Sequence, residues 1–328
     1  MKVSASVRAV QVPEDNPMNP ECTTIYIVGK EQVLTIDSGY AIDRYRWFLK
    51  GYLAAAEQAE IAMAAITHHH YDHSGNLKWA VQELDADVLV SKDAVPLLKG
   101  RLPRNRVERL EPGKPLKLEG GPTVHVLKTP GHSVDSLCYY IEEEGVLFTG
   151  DTMLGSTTTT VHNLGDYRRS LEQLLELPNL KVICPGHGPL VHDPRERLQT
   201  YIEHRNMRER QILEVLQRKG LTTSWDIMLE LYPDIDTRLR RAADNNVRSH
   251  LAELAEQGRI KVHEGVPKKK RGPSQRAVEH ARERERVIKR AKRYEEQARR
   301  AEVRAQENPP ADEWKDPPRY ELQGSARD

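Results

Sequence analysis

Cysteine is scarce in this chain: three in 328 residues, at positions 22, 138 and 184, far apart and never as C-x-x-C. That excludes a disulfide-stapled scaffold, and reduced thiols in a cytosol-like compartment are the expectation. No apolar run approaches the ~20 residues that a bilayer span needs. The opening MKVSASVRAVQVPEDNP has no signal-peptide apolar stretch and no clear transit peptide. The expected location is cytoplasmic, with no membrane partner, and the mitochondrial matrix is the alternative for a eukaryotic source. No fixed-period repeat is present, so a solenoid is excluded.

Net charge is also nearly absent, at +1, but it conceals an asymmetry. Residues 266–328 hold 18 Lys/Arg and 12 Asp/Glu, and the preceding 265 hold 32 against 37. An acidic body therefore carries a basic extension, most of it in residues 266–308 with 15 basic against 7 acidic side chains.

What is there begins with short apolar strands alternating with helices up to about residue 190. Thr24–Val28 and Val33–Ile36 read as a hairpin, 42–60 as a helix, and Ile61–Ile66 as a buried strand. Leu77–Leu84 has helical spacing. Val88–Val90, Val124–Leu127, Leu137–Ile141, Val146–Thr149 and Val182–Cys184 read as strands. Strands alternating with helices predict a layered α+β domain over residues 1–194. From Arg195 the texture turns helical, with segments at 195–218, 222–231 and 237–257, then Gly258 and a short strand carrying Ile260 and Val262. A helix, a glycine and a strand is how a winged-helix module finishes, which predicts a second domain over 195–265. Residues 266–308 predict a basic charged helix with Glu285–Lys289 and Glu295–Arg299 pairs. Residues 309–328 are Pro-rich and predict a disordered tail.

Four phrases carry the chemistry: THHHYDH (67–73), TPGH (129–132), TGD (149–151) and PGHG (185–188). Each follows a predicted strand, where a rigid scaffold presents functional side chains. In H-x-H-x-D-H, His68 and His70 are two apart and face the same way in extended chain, while His69 and Tyr71 face elsewhere. Imidazoles and carboxylates suit zinc without any thiolate, with Mn2+ or Fe2+ as substitutes. Seven donors are too many for one tetrahedral ion and enough for two. The simplest division gives His68, His70 and His132 to one ion and Asp72, His73 and His187 to the other, with Asp151 bridging. Asp72 is also the candidate catalytic residue, positioned to orient a metal-bridged hydroxide. Thr67, Ser74 and Ser133 are adjacent candidates to support the imidazoles.

Together the four phrases resemble the metallo-β-lactamase superfamily. The resemblance implies a four-layer αββα sandwich with two zinc ions at one edge, and it agrees with the ligand division residue by residue. The run PGHGPLVHDPRERLQTYIEHRNMRERQIL, followed by helices to Val262, resembles the β-lactamase-like protein 2 family. That family has a winged-helix-like domain after the sandwich and includes an endoribonuclease that cuts single-stranded RNA. The true zinc β-lactamases lack the bridging aspartate that Asp151 would supply. An endoribonuclease with single-stranded RNA as partner is therefore the first expectation. A thioester or lactone hydrolase of the glyoxalase or acyl-carrier type is the alternative, and an RNA-binding module without turnover is the third reading. Arg241, Arg248, Lys268, Lys269, Lys270 and Arg271 are the candidate nucleic-acid contacts. A winged helix serves equally well as a lid or a homodimer contact.

Overall fold

A computed structural model describes residues 1–13, 21–56, 61–98, 100–267 and 313–323. The chain forms two compact units, Met1–Asn206 and Met207–Asp328.

In the first unit, one six-stranded sheet runs β1 (Val7–Pro13), β2 (Cys22–Val28), β3 (Val33–Ile36), β4 (Ile61–Ala65), β5 (Asp87–Ser91) and β6 (Val107–Leu110), in that spatial order. β1, β2 and β3 are antiparallel, with Tyr26 opposite Ile36, and β3 through β6 are parallel. The second sheet is formed by β7 (Leu116–Lys117), β8 (Thr123–Lys128), β9 (Leu137–Ile141), β10 (Val146–Gly150) and β11 (Val182–Pro185), in the order β11-β10-β9-β8-β7. Only the β10–β11 pair in it is parallel. Helices α1 (Asp43–Ala56), α2 (Tyr71–Ser74), α3 (Leu77–Leu84) and α4 (Leu164–Leu175) complete the unit, together with the first half of α5 (Pro194–Lys219).

The two-residue period of the strands explains the layering. In β9, Leu137, Tyr139 and Ile141 face the other sheet, while Cys138 and Tyr140 face α4. In β2, Tyr26 and Val28 point into the space between the sheets and Ile25 and Ile27 point toward α1. One core therefore lies between the sheets, and an outer core lies beneath helices on each side, which gives an αββα sandwich. Strands apolar on both faces are what this burial demands. Each fully buried side chain such as Phe148 or Ile36 contributes roughly 1.5–3 kcal/mol. α1 begins at Asp43 and is described to Ala56, so the expected helical residues 57–60 fall outside the described residues. β1, β6 and β7 lie in stretches where the sequence raises no strand expectation.

The second unit contains the rest of α5, then β12 (Thr222–Thr223), α6 (Ser224–Leu231), α7 (Arg240–Glu256), β13 (Ile260–His263), β14 (Val266–Pro267), β15 (Trp314–Asp316) and β16 (Arg319–Leu322). The Thr223 hydroxyl accepts from the Asp226 amide and caps α6. Ile212, Val215 and Leu216 of α5 pack with Trp225, Ile227, Met228, Val247, Leu251 and Leu254. The unit boundary thus falls inside α5 and not before it, because Leu198 and Tyr201 belong to the core of the first unit.

The expected disordered tail is corrected. β16 is the middle strand of a three-stranded sheet ordered β12-β16-β13, with Val262 opposite Tyr320 and Thr222 opposite Tyr320 on the other side. β14 pairs with β15. Pro317 and Pro318 sit between β15 and β16, where no ladder donor is needed, so proline content does not prevent strand formation here. The basic residues 268–312 are consequently an insertion between two paired strands and not a terminal extension. Of the charged helix expected over 266–308, Val266–Pro267 form strand β14 instead, paired with β15, and the rest lies outside the described residues.

Candidate metal centre

The seven predicted ligands come from turns after strands of both sheets and converge in two sets. His68, His70, His132 and Asp151 form one, and Asp72, His73, Asp151 and His187 form the other. Within each set one donor atom per residue lies within 4.8 Å of the others. Asp151 belongs to both.

His68 and His70 follow β4, and α2 starts at Tyr71, which turns Asp72 and His73 inward and leaves both buried. His132 stands in the turn after β8. Gly131 there has φ +135°, and a Cβ on it would lie 2.5 Å from Tyr167 Cα, so only glycine permits the turn. Asp151 follows β10 and His187 follows β11. A Cβ at Gly186 would lie 2.6 Å from the His73 ring and 2.8 Å from Asp151 Oδ1, so the space between these ligands is kept open by a missing side chain.

In the first set, His68 Nε2 is 2.8 Å and His132 Nε2 is 3.1 Å from His70 Nδ1, and His132 Nε2 is 3.7 Å from Asp151 Oδ2. In the second, His187 Nε2 is 3.1 Å from Asp72 Oδ2 and 3.4 Å from Asp151 Oδ1, and His73 Nε2 is 3.3 Å from Asp151 Oδ1. Donors bound about 2.0–2.1 Å from a tetrahedral ion stand ~3.3 Å apart, which these spacings approach. The buried His73 Nε2, His187 Nε2 and Asp151 Oδ1 make no hydrogen bond. Unsatisfied buried donors and acceptors are costly, and a shared cation satisfies all three at once. The residues fit a pair of divalent ions.

Electrostatics separates the sets. Burial, with help from the neighbouring imidazoles, pushes His68 well below the usual histidine range, and burial brings His70 down to about 3 and lowers His132. Burial also acts against charge on His73, but Asp37, Asp151 and Asp72 outweigh it and raise this imidazole well above its ordinary value. His187 is likewise raised, with Asp151 and Asp72 overcoming burial. Burial pushes the Asp72 carboxyl up, but His73 and His187 overcome it and hold the group down at about 2, fully ionised at neutral pH.

The supporting groups are mostly ones that the sequence did not single out. Asp37, buried after β3 with φ +67°, takes Thr67 N at 2.7 Å and Thr67 Oγ1 at 3.0 Å on Oδ1, and His73 Nδ1 at 2.7 Å on Oδ2. Thr67 Oγ1 also lies 3.1 Å from His68 Nδ1, so this expected support is in place. Thr23 Oγ1 and the Cys22 carbonyl hold His187 Nδ1 at 3.0 and 3.2 Å. Thr159 Oγ1 and the Thr160 carbonyl hold His132 Nδ1 at 3.0 and 2.8 Å. Ser74 instead donates to the His69 and His70 carbonyls, and Ser133 donates to Asp135. The one available signal for Asp37 was its place directly after a strand, as for Asp151.

His69 is more than a spacer. Its Nδ1 is 2.8 Å from the fully buried Asp135 carboxylate, and the ring remains 23% exposed beside His70. Tyr71 packs against Tyr40 and lies under Arg101.

Of the candidate nucleic-acid contacts, Arg241 is paired with Glu313 at 3.5 Å, and Arg248 with Asp244 at 2.8 Å and Glu313 at 3.2 Å. Both stand on α7, in the second unit and not among the candidate metal ligands. Lys268, Lys269, Lys270 and Arg271 lie outside the described residues.

Comparison with known proteins agrees with this architecture. Residues 20–187 match the Metallo-beta-lactamase superfamily, and residues 223–269 match the Beta-lactamase associated winged helix domain. A Caenorhabditis elegans protein named Beta-lactamase-like protein 2 homolog is 33% identical over 78% of this chain and 86% of its own length. An Aspergillus fumigatus Atrochrysone carboxyl ACP thioesterase is 36% identical over 65% of this chain and 66% of its own. A metallo-beta-lactamase family protein from Thermus thermophilus superposes with a TM-score of 0.67 at 26% identity, covering 79% of this chain and 96% of that one. Among the described residues, no helix is long and apolar enough to cross a membrane. With seven clustered donors at the edge of an αββα sandwich and a winged-helix domain following it in the sequence, the chain belongs to the metallo-β-lactamase superfamily and, within it, to the β-lactamase-like protein 2 group.

Proposed function

We propose that the chain is a two-zinc hydrolase that cuts phosphodiester bonds in single-stranded RNA. The observation that carries the hydrolase reading is the place of Asp151 in both donor sets, which makes the two sets one centre. Two such ions supply Lewis acidity and a nucleophile at neutral pH.

The chain's own residues do the positioning. His68, His70 and His132 present neutral imidazoles, and Asp72, held ionised, is a hydrogen-bond acceptor that orients the attacking water. In the overall reaction water adds across a P–O bond: one oxygen joins phosphorus, the bridging P–O bond breaks, and a proton ends on the leaving oxygen. Asp37, Thr67, Thr23 and Thr159 fix the imidazoles so that little reorganisation is needed. Support for RNA comes from the composition of one segment of the second unit. The insertion 268–312 holds 15 Lys/Arg against 8 Asp/Glu between paired strands β14 and β15, a density of positive charge suited to phosphates.

A second reading is favoured by the fungal relative whose name specifies an ACP thioesterase. The same centre would then hydrolyse a carrier-bound thioester, with carbonyl carbon in place of phosphorus. One experiment separates the two: zinc-loaded protein is incubated with end-labelled single-stranded RNA and, in parallel, with a panel of acyl thioesters, each with and without chelator. Chelator-sensitive RNA cleavage is expected. Rapid thioester turnover with intact RNA would overturn the RNA reading and leave the hydrolase reading standing.

A further inference from the structure

Arg205 is the largest fully buried side chain of the described residues, only 1% exposed, and among those residues it has no carboxylate partner. A buried guanidinium without a counter-charge is costly, so what it touches is informative. Its Nη2 donates to the Thr159 carbonyl at 2.8 Å, and its Cζ lies over the Tyr167 ring, 5.3 Å from the ring centre. One turn earlier on the same face of α5, the Tyr201 hydroxyl accepts from the Leu154 amide at 3.0 Å and donates to the Thr157 carbonyl. Two side chains of one helix thus grip a single loop, residues 152–161, at three points. That loop starts directly after Asp151. At its far end, Thr159 Oγ1 and the Thr160 carbonyl are the groups that hold His132 Nδ1, and the next two amides, of His162 and Asn163, donate to the Gly131 carbonyl at 2.8 and 3.1 Å.

We infer that Arg205 and Tyr201 are positioning residues for His132. They set the direction of its Nε2, and hence the affinity of the His68–His70–His132 set, without touching substrate or ion. The inference rests on the metal-centre reading but on neither choice of substrate. A guanidinium suits this task because it can donate to a carbonyl and stack on a ring at once, which neither lysine nor an aliphatic side chain does. The loop has no strand or helix of its own; Tyr167 and the Gly155 amide hold its first half, and Tyr201 and Arg205 hold Leu154, Thr157 and Thr159 toward the end that reaches His132.

The test uses the full chain and zinc or Co2+ as the probe. Metal stoichiometry and affinity are measured by chelator competition, and the Co2+ visible spectrum reports the ligand field of each ion. For the parent, two bound ions are expected, and failure to bind them would sink the metal-centre reading and this inference with it. In Tyr201→Phe, which removes one oxygen, and in Thr159→Val, affinity for one of the two ions should fall about 10-fold. In Arg205→Met the fall should approach about 100-fold, with partial recovery in Arg205→Lys. In all four, the second ion should keep its affinity, and turnover should fall at full metal loading through kcat more than KM. Parental affinity for both ions in folded Tyr201→Phe and Thr159→Val protein would overturn the inference while leaving the metal centre intact. Equal loss of both ions would also overturn it, since that marks general loosening of the core.

Discussion

The two donor sets share one aspartate yet are built on opposite electrostatic plans. The first, His68, His70 and His132, is a cluster of buried imidazoles that burial keeps neutral. The second, Asp72, His73 and His187, mixes carboxylates with imidazoles, and the carboxylates favour protons on the rings. The first set offers a cation uncharged rings whose donor nitrogens hydrogen-bond one another through His70 Nδ1. The second compensates its own charges until a cation arrives. Such sets should differ in how tightly they bind, in what competes with the ion and in which surrounding groups matter.

The strongest break in the comparison is to remove the shared member. Asp151→Ala takes a donor from both sets and leaves His73 Nε2 and His187 Nε2 with Asp72 as the one carboxylate beside them. Turnover should fall below about one thousandth of the parent, and bound metal should fall from two equivalents to one or none. Metal analysis after gel filtration, beside the rate on whichever substrate the protein turns over, checks both. Near-parental activity with two ions bound would mean that the sets are not one centre.

A lesser perturbation is pH. His73 and His187 have raised proton affinity in the folded chain, so below their raised pKa an ion must displace protons to enter the second set. Its affinity there should fall as pH falls. The imidazoles of the first set are pushed downward and stay neutral, so that set should hardly respond over the same range. As pH falls through the raised pKa values of these two imidazoles, the protein should therefore pass from two bound ions toward one. Equilibrium dialysis against a fixed zinc buffer measures this, and simultaneous loss of both ions would remove the distinction between the sets.

The seven donors were legible because each sits in a short contiguous phrase at a strand end, where spacing alone separates His68 and His70 from His69. The groups that orient them were not. Asp37 stands alone in LTIDSG and reads like any turn residue, and its meaning comes from Thr67 and His73, 30 and 36 positions away. Arg205 lies 46 residues from Thr159, and nothing local marks a helical arginine as buried. The strand at Arg319–Leu322 escaped notice for the same reason. Four residues in a Pro-rich stretch have little intrinsic preference, and they become a central strand only because β12 and β13 offer edges on both sides. Periodicity finds elements that bury their own face, while strands and charges that depend on distant partners need the fold.

The smallest effects lie within the second set, whose two imidazoles are held by different means. His73 Nδ1 faces only a carboxylate and a distant hydroxyl: Asp37 Oδ2 at 2.7 Å and Thr67 Oγ1 at 3.4 Å. Asp37→Asn keeps the shape but removes the charge, and it exchanges one acceptor for an amide that competes with the Thr67 donors. Affinity for one ion should fall about 10- to 100-fold, and the proton affinity of His73 should fall too, which moves the loss of the ion to lower pH. His187 Nδ1 has two neutral acceptors, the Thr23 hydroxyl and the Cys22 carbonyl. Thr23→Val leaves the carbonyl in place, so its cost should stay under about 10-fold, with no change in the pH at which the ion leaves. Chelator competition on both variants at two pH values checks the pair. If Thr23→Val shifts the pH dependence as much as Asp37→Asn does, the second set is governed by ring orientation, and the electrostatic contrast with the first set loses its basis.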